Sequence, residues 1–172
     1  MKLQNEVILS IGSNQGDRLE NIIQCINLIH QEIGDVTKVS RLYETPSWGF
    51  ESDAFYNAAV AIRTNKSPDE VLVGILAIEK KLGRIRNIPI GYQARTIDID
   101  IIFFNDQIIE TEDLQVPHPQ MQHRLFVLLP IKDLQMDLVH PILVKTISDL
   151  IEECEDKSEC TIVSDLEVPK RN

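Results

Sequence analysis

The segment Asp98-Ile99-Asp100-Ile101-Ile102-Phe103-Phe104 does most to limit what this chain can fold into. β-branched and aromatic residues dominate it, so it reads as a buried strand. Side chains alternate along a strand, which puts Asp98 and Asp100 on one face, roughly 6–7 Å apart, and Ile97, Ile99 and Ile101 on the other. Two carboxylates on one face of an otherwise apolar strand repel each other and are costly to desolvate without a counter-charge. Two readings are open. Either the pair holds one or two cations, or it sits at a wet strand end and binds nothing.

The rest of the chain supplies partners for such a strand. Val7 to Ile11 reads as a strand that ends in the turn Gly12-Ser13-Asn14-Gln15-Gly16. Asp17 with Glu20 resembles a capping box, and Leu19, Ile22, Ile23, Ile26, Ile29 and Ile33 follow with helical spacing up to Gly34-Asp35. Val36 to Tyr43 and Phe55 to Thr64 read as strands on either side of a loop. Ser67-Pro68-Asp69-Glu70 starts a second helix that runs to Leu82 and stops at Gly83. The order β-α-β-β-α-β predicts an α+β fold: a ferredoxin-like antiparallel sheet with helices packed on one face. C-terminal additions follow, with short helices expected near Gln122–Leu129 and Thr146–Cys154.

With 172 residues the chain is long enough for one domain that buries roughly 70% of its unfolded surface. A single domain is expected over 1–160, followed by an acidic and polar tail over 161–172. The net charge of −10 is concentrated toward the C-terminal end, between Asp149 and Glu167. Eight of the 27 acids lie between Asp149 and Glu167 with a single base, Lys157, and the remaining 19 acids face 16 bases. The body is nearly neutral, so a nucleic-acid partner is not expected. Cys25, Cys154 and Cys160 have no metal-ligand spacing and read as free thiols of a reducing compartment. The apolar run Val7–Ile11 is too short for a signal peptide or a membrane span, and a cytoplasmic location is expected.

Three arginines, Arg84, Arg86 and Arg95, precede the acid pair in one loop. Converging guanidinium groups and carboxylates suit a polyphosphate carrying Mg²⁺, because the carboxylates hold the metal and the guanidinium forks neutralise the rest. The alternative is that these arginines simply pair with Asp98 and Asp100. Glu79 shares the apolar stripe of the second helix, so it lies at the stripe's edge or points into a site at the helix C-terminus. His118 is held between Pro117 and Pro119. No G-x-x-x-x-G-K-[ST] is present, and a nucleotide would have to be held by arginines and metal.

Several motifs then appear in a fixed order: Ile11-Gly12-Ser13-Asn14, Tyr43-Glu44-Thr45-Pro46, Asn57-Ala58-Ala59-Val60, Gly83-Arg84-x-Arg86, Arg95-Thr96-Ile97-Asp98-Ile99-Asp100-Ile101, Val116-Pro117-His118-Pro119 and Arg124-x-Phe126-Val127-Leu128. Over residues 7 to about 140 the chain resembles the 6-hydroxymethyl-7,8-dihydropterin pyrophosphokinases of folate biosynthesis. The resemblance implies transfer of pyrophosphate from MgATP to the hydroxymethyl group of the dihydropterin, with release of AMP. It implies two Mg²⁺ ions on Asp98 and Asp100, and Arg84 and Arg95 as the catalytic residues on the transferring group. ATP contacts are implied for Glu79, Arg86, Tyr92, Ile99, His118 and Arg124. Pterin contacts are implied for Thr45, Pro46, Ser47, Trp48, Phe55, Asn57 and Phe126, the aromatic rings stacking on the heterocycle.

The chain departs from the family's familiar pattern at Trp48, in the length of the arginine loop, and at Asp113 and Gln115. The expected partners are small molecules, ATP and the dihydropterin, with a monomer or weak homodimer as the assembly. A non-catalytic ferredoxin-like module that binds a small ligand for regulation is the competing reading, and it has no need of a same-face acid pair beside three arginines.

Overall fold

A computed structural model describes residues 4–46, 54–83 and 96–171. The expectations for Ser47, Trp48, Arg84, Arg86, Tyr92 and Arg95 lie outside the described residues.

Strand β1 (Asn5–Ser13) leads through a turn into helix α1 (Arg18–Glu32), whose first turn is capped by the Asp17 carboxylate accepting the Glu20 N–H at 3.0 Å. Ile22, Cys25, Ile26 and Ile29 form its buried stripe. The segment expected as one strand from Val36 to Tyr43 is divided into β2 (Asp35–Val39) and β3 (Leu42–Thr45), both antiparallel to β4 (Phe55–Thr64). The break is at Ser40. Its N–H donates to the Ala59 carbonyl and its hydroxyl accepts the Ala59 N–H at 2.8 Å, so a side chain replaces one rung of the ladder. Helix α2 (Pro68–Lys81) starts with the complete Ser67/Glu70 capping box and is followed by Gly83 at φ +89°.

β5 (Asp98–Phe104) returns beside β1, and the path across the sheet is β5-β1-β4-β3 with every neighbour antiparallel. A separate hairpin joins β6 (Ile109–Glu110) to β7 (Gln115–Val116). A 3₁₀ turn (Met121–His123), α3 (Leu125–Asp133) and α4 (Ile147–Glu153) follow. Residues 161–164, expected to open a tail, form β8 (Thr161–Ser164) and pair with β3, so the sheet has a sixth strand at that edge.

The two helices of the β-α-β-β-α-β order share one face, and the later helices cover the other. α1 and α2 cover the face of Val7, Leu9, Ile11, Val60 and Ile62, whereas α3 and α4 cover the opposite face of Ile8, Ala59, Ala61, Ile102 and Phe103. The physical reason is in the strands. Their runs are apolar at successive positions, so both faces exclude water, and the small side chains of Ala59 and Ala61 let Val127, Leu128 and Ile131 of α3 approach closely. Cys25, Cys154 and Cys160 are all free, the first two buried.

Candidate active site

α3 covers only part of its face of the sheet, and the groups of chemical interest occupy the rest. Ile97, Ile99 and Ile101 are buried in the α1/α2 core, so Asp98 and Asp100 project from the α3 side, both half-buried. The sheet register then sets their neighbours. Asp98 faces Gly12 of β1, Gly12 faces Asn57 of β4, and Asn57 faces Tyr43 of β3; one rung away, Asp100 faces Ser10, which faces Ala59. With strands about 4.8 Å apart, the backbones of Asp98 and Asn57 are roughly 10 Å from each other.

Gly12 leaves the floor between them bare. A Cβ there would stand 3.1 Å from Asn57 Oδ1 and 3.7 Å from Phe55 Cδ1. Asn57 is buried and fixed, its Nδ2 donating to the buried Thr45 hydroxyl at 2.7 Å, which leaves Oδ1 on the Gly12 side. Thr45 and Phe55 are paired residues at the same ends of β3 and β4, and Phe55 is half-buried. Pro46 follows Thr45 directly. These four therefore cluster at one end of the floor.

Opposite them is the segment leading into α3. His118 is tied to β5 by its N–H, which donates to the Ile102 carbonyl at 3.1 Å, and its Nδ1 accepts the Gln120 N–H at 3.2 Å. Burial, and then the Arg124 charge, hold its pKa below the ordinary imidazole value despite the opposing pull of Asp98. His118 is therefore neutral near pH 7, and the hydrogen bond from Gln120 assigns its proton to Nε2, a donor. Arg124 immediately precedes α3, with its guanidinium carbon 5.7 Å from the centre of the half-buried Phe126 ring.

Glu79 resolves the alternatives left by its position on the stripe. It is 1% exposed, and Oε1 accepts the N–H of Ile99 at 3.0 Å. The backbone between the two aspartates is thus held from α2. The Ile99 side chain is itself in the core, so any ligand contact from this residue falls to its backbone.

Three supporting residues were not among the expected site residues. Ser13 donates its hydroxyl to the Thr96 carbonyl at 2.6 Å and so holds the entry to β5. Gly12 leaves the floor clear; both residues belong to the Ile11–Asn14 motif. Arg18 donates from one guanidinium nitrogen to the Ala54 carbonyl at 2.6 Å and to Glu44 Oε2 at 3.2 Å, with its plane over the Tyr56 ring.

No group of three or more His, Cys, Asp or Glu side chains able to hold a metal occurs among the described residues. Two carboxylates facing an open floor are nevertheless what Mg²⁺ uses when substrate phosphates complete its coordination.

Comparison with known proteins identifies the family. The model of the family described as 7,8-dihydro-6-hydroxymethylpterin-pyrophosphokinase (HPPK) matches residues 8–136. A 2-amino-4-hydroxy-6-hydroxymethyldihydropteridine pyrophosphokinase of Aquifex aeolicus is 35% identical over 158 residues, 91% of this chain and 97% of that protein. The Bacillus subtilis protein of the same name is 46% identical over 134 residues, covering 77% and 79%. The folic acid synthesis protein fol1 of Pneumocystis carinii is 38% identical over 90% of this chain, which spans only 21% of that longer protein. Among solved structures, Plasmodium falciparum HPPK-DHPS wild type with pterin and p-hydroxybenzoate superposes with a TM-score of 0.69 at 20% identity, over 88% of this chain and 42% of the other. This chain belongs to the 7,8-dihydro-6-hydroxymethylpterin-pyrophosphokinase family.

Proposed function

We propose that the chain transfers the pyrophosphoryl group of ATP to the hydroxymethyl group of 6-hydroxymethyl-7,8-dihydropterin, a step of folate biosynthesis. The hydroxymethyl oxygen bonds to the β-phosphorus as the bond from that phosphorus to the α-bridging oxygen breaks. AMP leaves and the hydroxyl proton is lost. The observation that carries this reading is the rung Asp98–Gly12–Asn57. With Asp100 one rung away, a carboxylate pair and a fixed amide stand on two sides of one clear floor, which supports a site for a donor and an acceptor substrate.

Such a reaction needs alignment and charge neutralisation more than covalent help from the protein. Asp98 and Asp100 would hold two Mg²⁺ ions, and bound Mg²⁺ neutralises charge on the phosphate oxygens. His118 offers its Nε2–H to a phosphate oxygen, and Arg124 a guanidinium. Arg84 and Arg95 act on the transferring group, with Arg86, Tyr92, Glu79 and the Ile99 backbone on ATP. The pterin lies between Phe55 and Phe126, its polar edge on Asn57, Thr45 and Pro46, with Ser47 and Trp48 beside it. The Asn57 amide is pre-oriented by Thr45, so little side-chain freedom is lost on binding.

The path β5-β1-β4-β3 with crossovers α1 and α2 supports a ferredoxin-like reading of the sheet, elaborated by α3, α4 and β8. We further read the chain as one catalytic domain acting as a monomer or weak homodimer in the cytoplasm. No helix among the described residues is long and apolar enough to cross a membrane. A coupled assay for AMP release with ATP, Mg²⁺ and the dihydropterin tests the function: release that depends on the pterin supports it, and release with ATP alone, or none, rejects it.

A further inference from the structure

Residues 154–171 lie beyond the stretch matched by the family model. They are built into the fold at several points. Cys154, which ends α4, is buried. Two residues later Asp156 is only 7% exposed; its Oδ2 accepts the N–H of Leu125 at 3.0 Å and its Oδ1 the N–H of Ser158 at 2.8 Å. Leu125 is the first residue of α3, and the residue before it, Arg124, makes no side-chain cap. The helix start that carries Arg124 and Phe126 is thus capped by a carboxylate 31 residues away.

From there the chain leaves the α3 side and runs along the sheet edge. β8 pairs with β3 in the register Leu42 with Ser164, Tyr43 with Ile162 and Glu44 with Thr161. Beyond it, Leu166 packs against the α1/α2 core and Arg171 reaches Asp35 at 3.6 Å. One segment therefore grips both walls of the slot described above. Phe126, one of the two rings proposed to flank the pterin, is at the head of α3, and Thr45, paired with Phe55 that carries the other ring, is at the end of β3. The two belong to different layers, and no ladder of the sheet joins them.

We propose that residues 154–164 form a strap that sets the width of the pterin slot, with Asp156 positioning the Phe126 wall and β8, through β3 and Thr45, positioning the Phe55 wall. The proposal rests on the pyrophosphokinase reading. Its signature is selective. The acid pair and His118 are held through β1, β5 and α2 rather than through Leu125 or β3, and of the described residues assigned to ATP only Arg124 shares the helix start that Asp156 caps, so losing the strap weakens pterin binding more than nucleotide binding.

The test uses the full chain and three variants, Asp156→Ala, Asp156→Asn and Ile162→Pro, the last removing the Ile162 N–H and breaking the local β8 backbone geometry. Calorimetry measures α,β-methylene ATP with Mg²⁺ alone, and then 6-hydroxymethyl-7,8-dihydropterin added to that complex. The expected result is a rise in pterin Kd of about tenfold for Asp156→Ala and Ile162→Pro, with nucleotide Kd changed less than about threefold. Asp156→Asn keeps one acceptor oxygen and falls between. Amide exchange should quicken at 125–127 in the Asp156 variants and at 42–45 in Ile162→Pro, with the rest of the sheet still protected. Pterin affinity that stays within twofold in all variants, or equal weakening of both ligands, overturns the strap and leaves the function standing. Failure of the unaltered chain to bind the pterin at all overturns the function itself, and the strap with it.

Discussion

Gly12 has no side chain to offer, and its value to the site lies in that. The residue stands between Asp98 and Asn57 in the sheet register, and a Cβ would come within 3.1 Å of Asn57 Oδ1. Gly12→Ala is therefore expected to displace the amide and raise the pterin KM about tenfold, with a smaller change in the ATP KM, as steady-state kinetics with each substrate varied will show. Asp98→Ala and Asp100→Ala are expected to cut turnover by several orders of magnitude with no loss in Tm, because each removes a like-charge repulsion. Glu79 separates position from charge. Glu79→Gln keeps an acceptor for the Ile99 N–H, whereas Glu79→Leu leaves that buried donor unpaired and should cost about 1–3 kcal/mol in denaturant unfolding. The acid pair was legible from sequence because strand alternation alone puts both carboxylates on one face. Glu79 was legible only as two alternatives, since helical spacing does not say what lies above the stripe. Asp156 was illegible: its partner is distant in sequence, and among so many acids nothing in the chain distinguishes it.

At the scale of elements, the strands and the two crossover helices followed from local signals, and the differences arose where tertiary packing intervened. Ser40 divides one expected strand into β2 and β3 through a bond to Ala59, a contact without a sequence signature. α3 and α4 cover the face that the element order alone left open. The loop between β3 and β4 is flanked by Glu44 and Ala54, and Arg18 of α1 holds both while resting 4.0 Å from the centre of the Tyr56 ring. Arg18 is thus a clamp on the two ends of the hairpin that carries Thr45 and Phe55. Arg18→Met keeps much of the apolar contact with Tyr56 and removes both hydrogen bonds. It is expected to raise the pterin KM severalfold, to leave the ATP KM in place, and to speed amide exchange at Phe55–Asn57. An unchanged pterin KM would make this arginine a purely structural pin.

Across the whole molecule, the α3 layer is fastened to the sheet at both ends, by Asp156 at the start of the helix and by Asp133 at its end. Asp133 takes hydrogen bonds from the Arg41 backbone, from its guanidinium at 2.8 Å and 3.0 Å, and from the Tyr43 hydroxyl at 2.9 Å. Burial alone would raise its pKa, but the bonds from Arg41 and Tyr43 outweigh that and hold it below the ordinary carboxylate value. Burial and the same carboxylate push the Tyr43 phenol up to about 12, so it remains a donor at any working pH. Because the folded pKa of Asp133 lies below the unfolded one, its stabilisation is fully present above about pH 4. It is lost as the pH falls through the folded value. Asp133→Asn should therefore lower Tm most near pH 7, and the gap to the unaltered chain should narrow steadily toward pH 2. Tyr43→Phe in the Asn background should then add less destabilisation than it does alone, since its acceptor is already weakened. A gap between the two chains that is constant with pH would show that the carboxylate charge does not fasten the layers, and that packing of α3 on Ala59 and Ala61 holds them unaided.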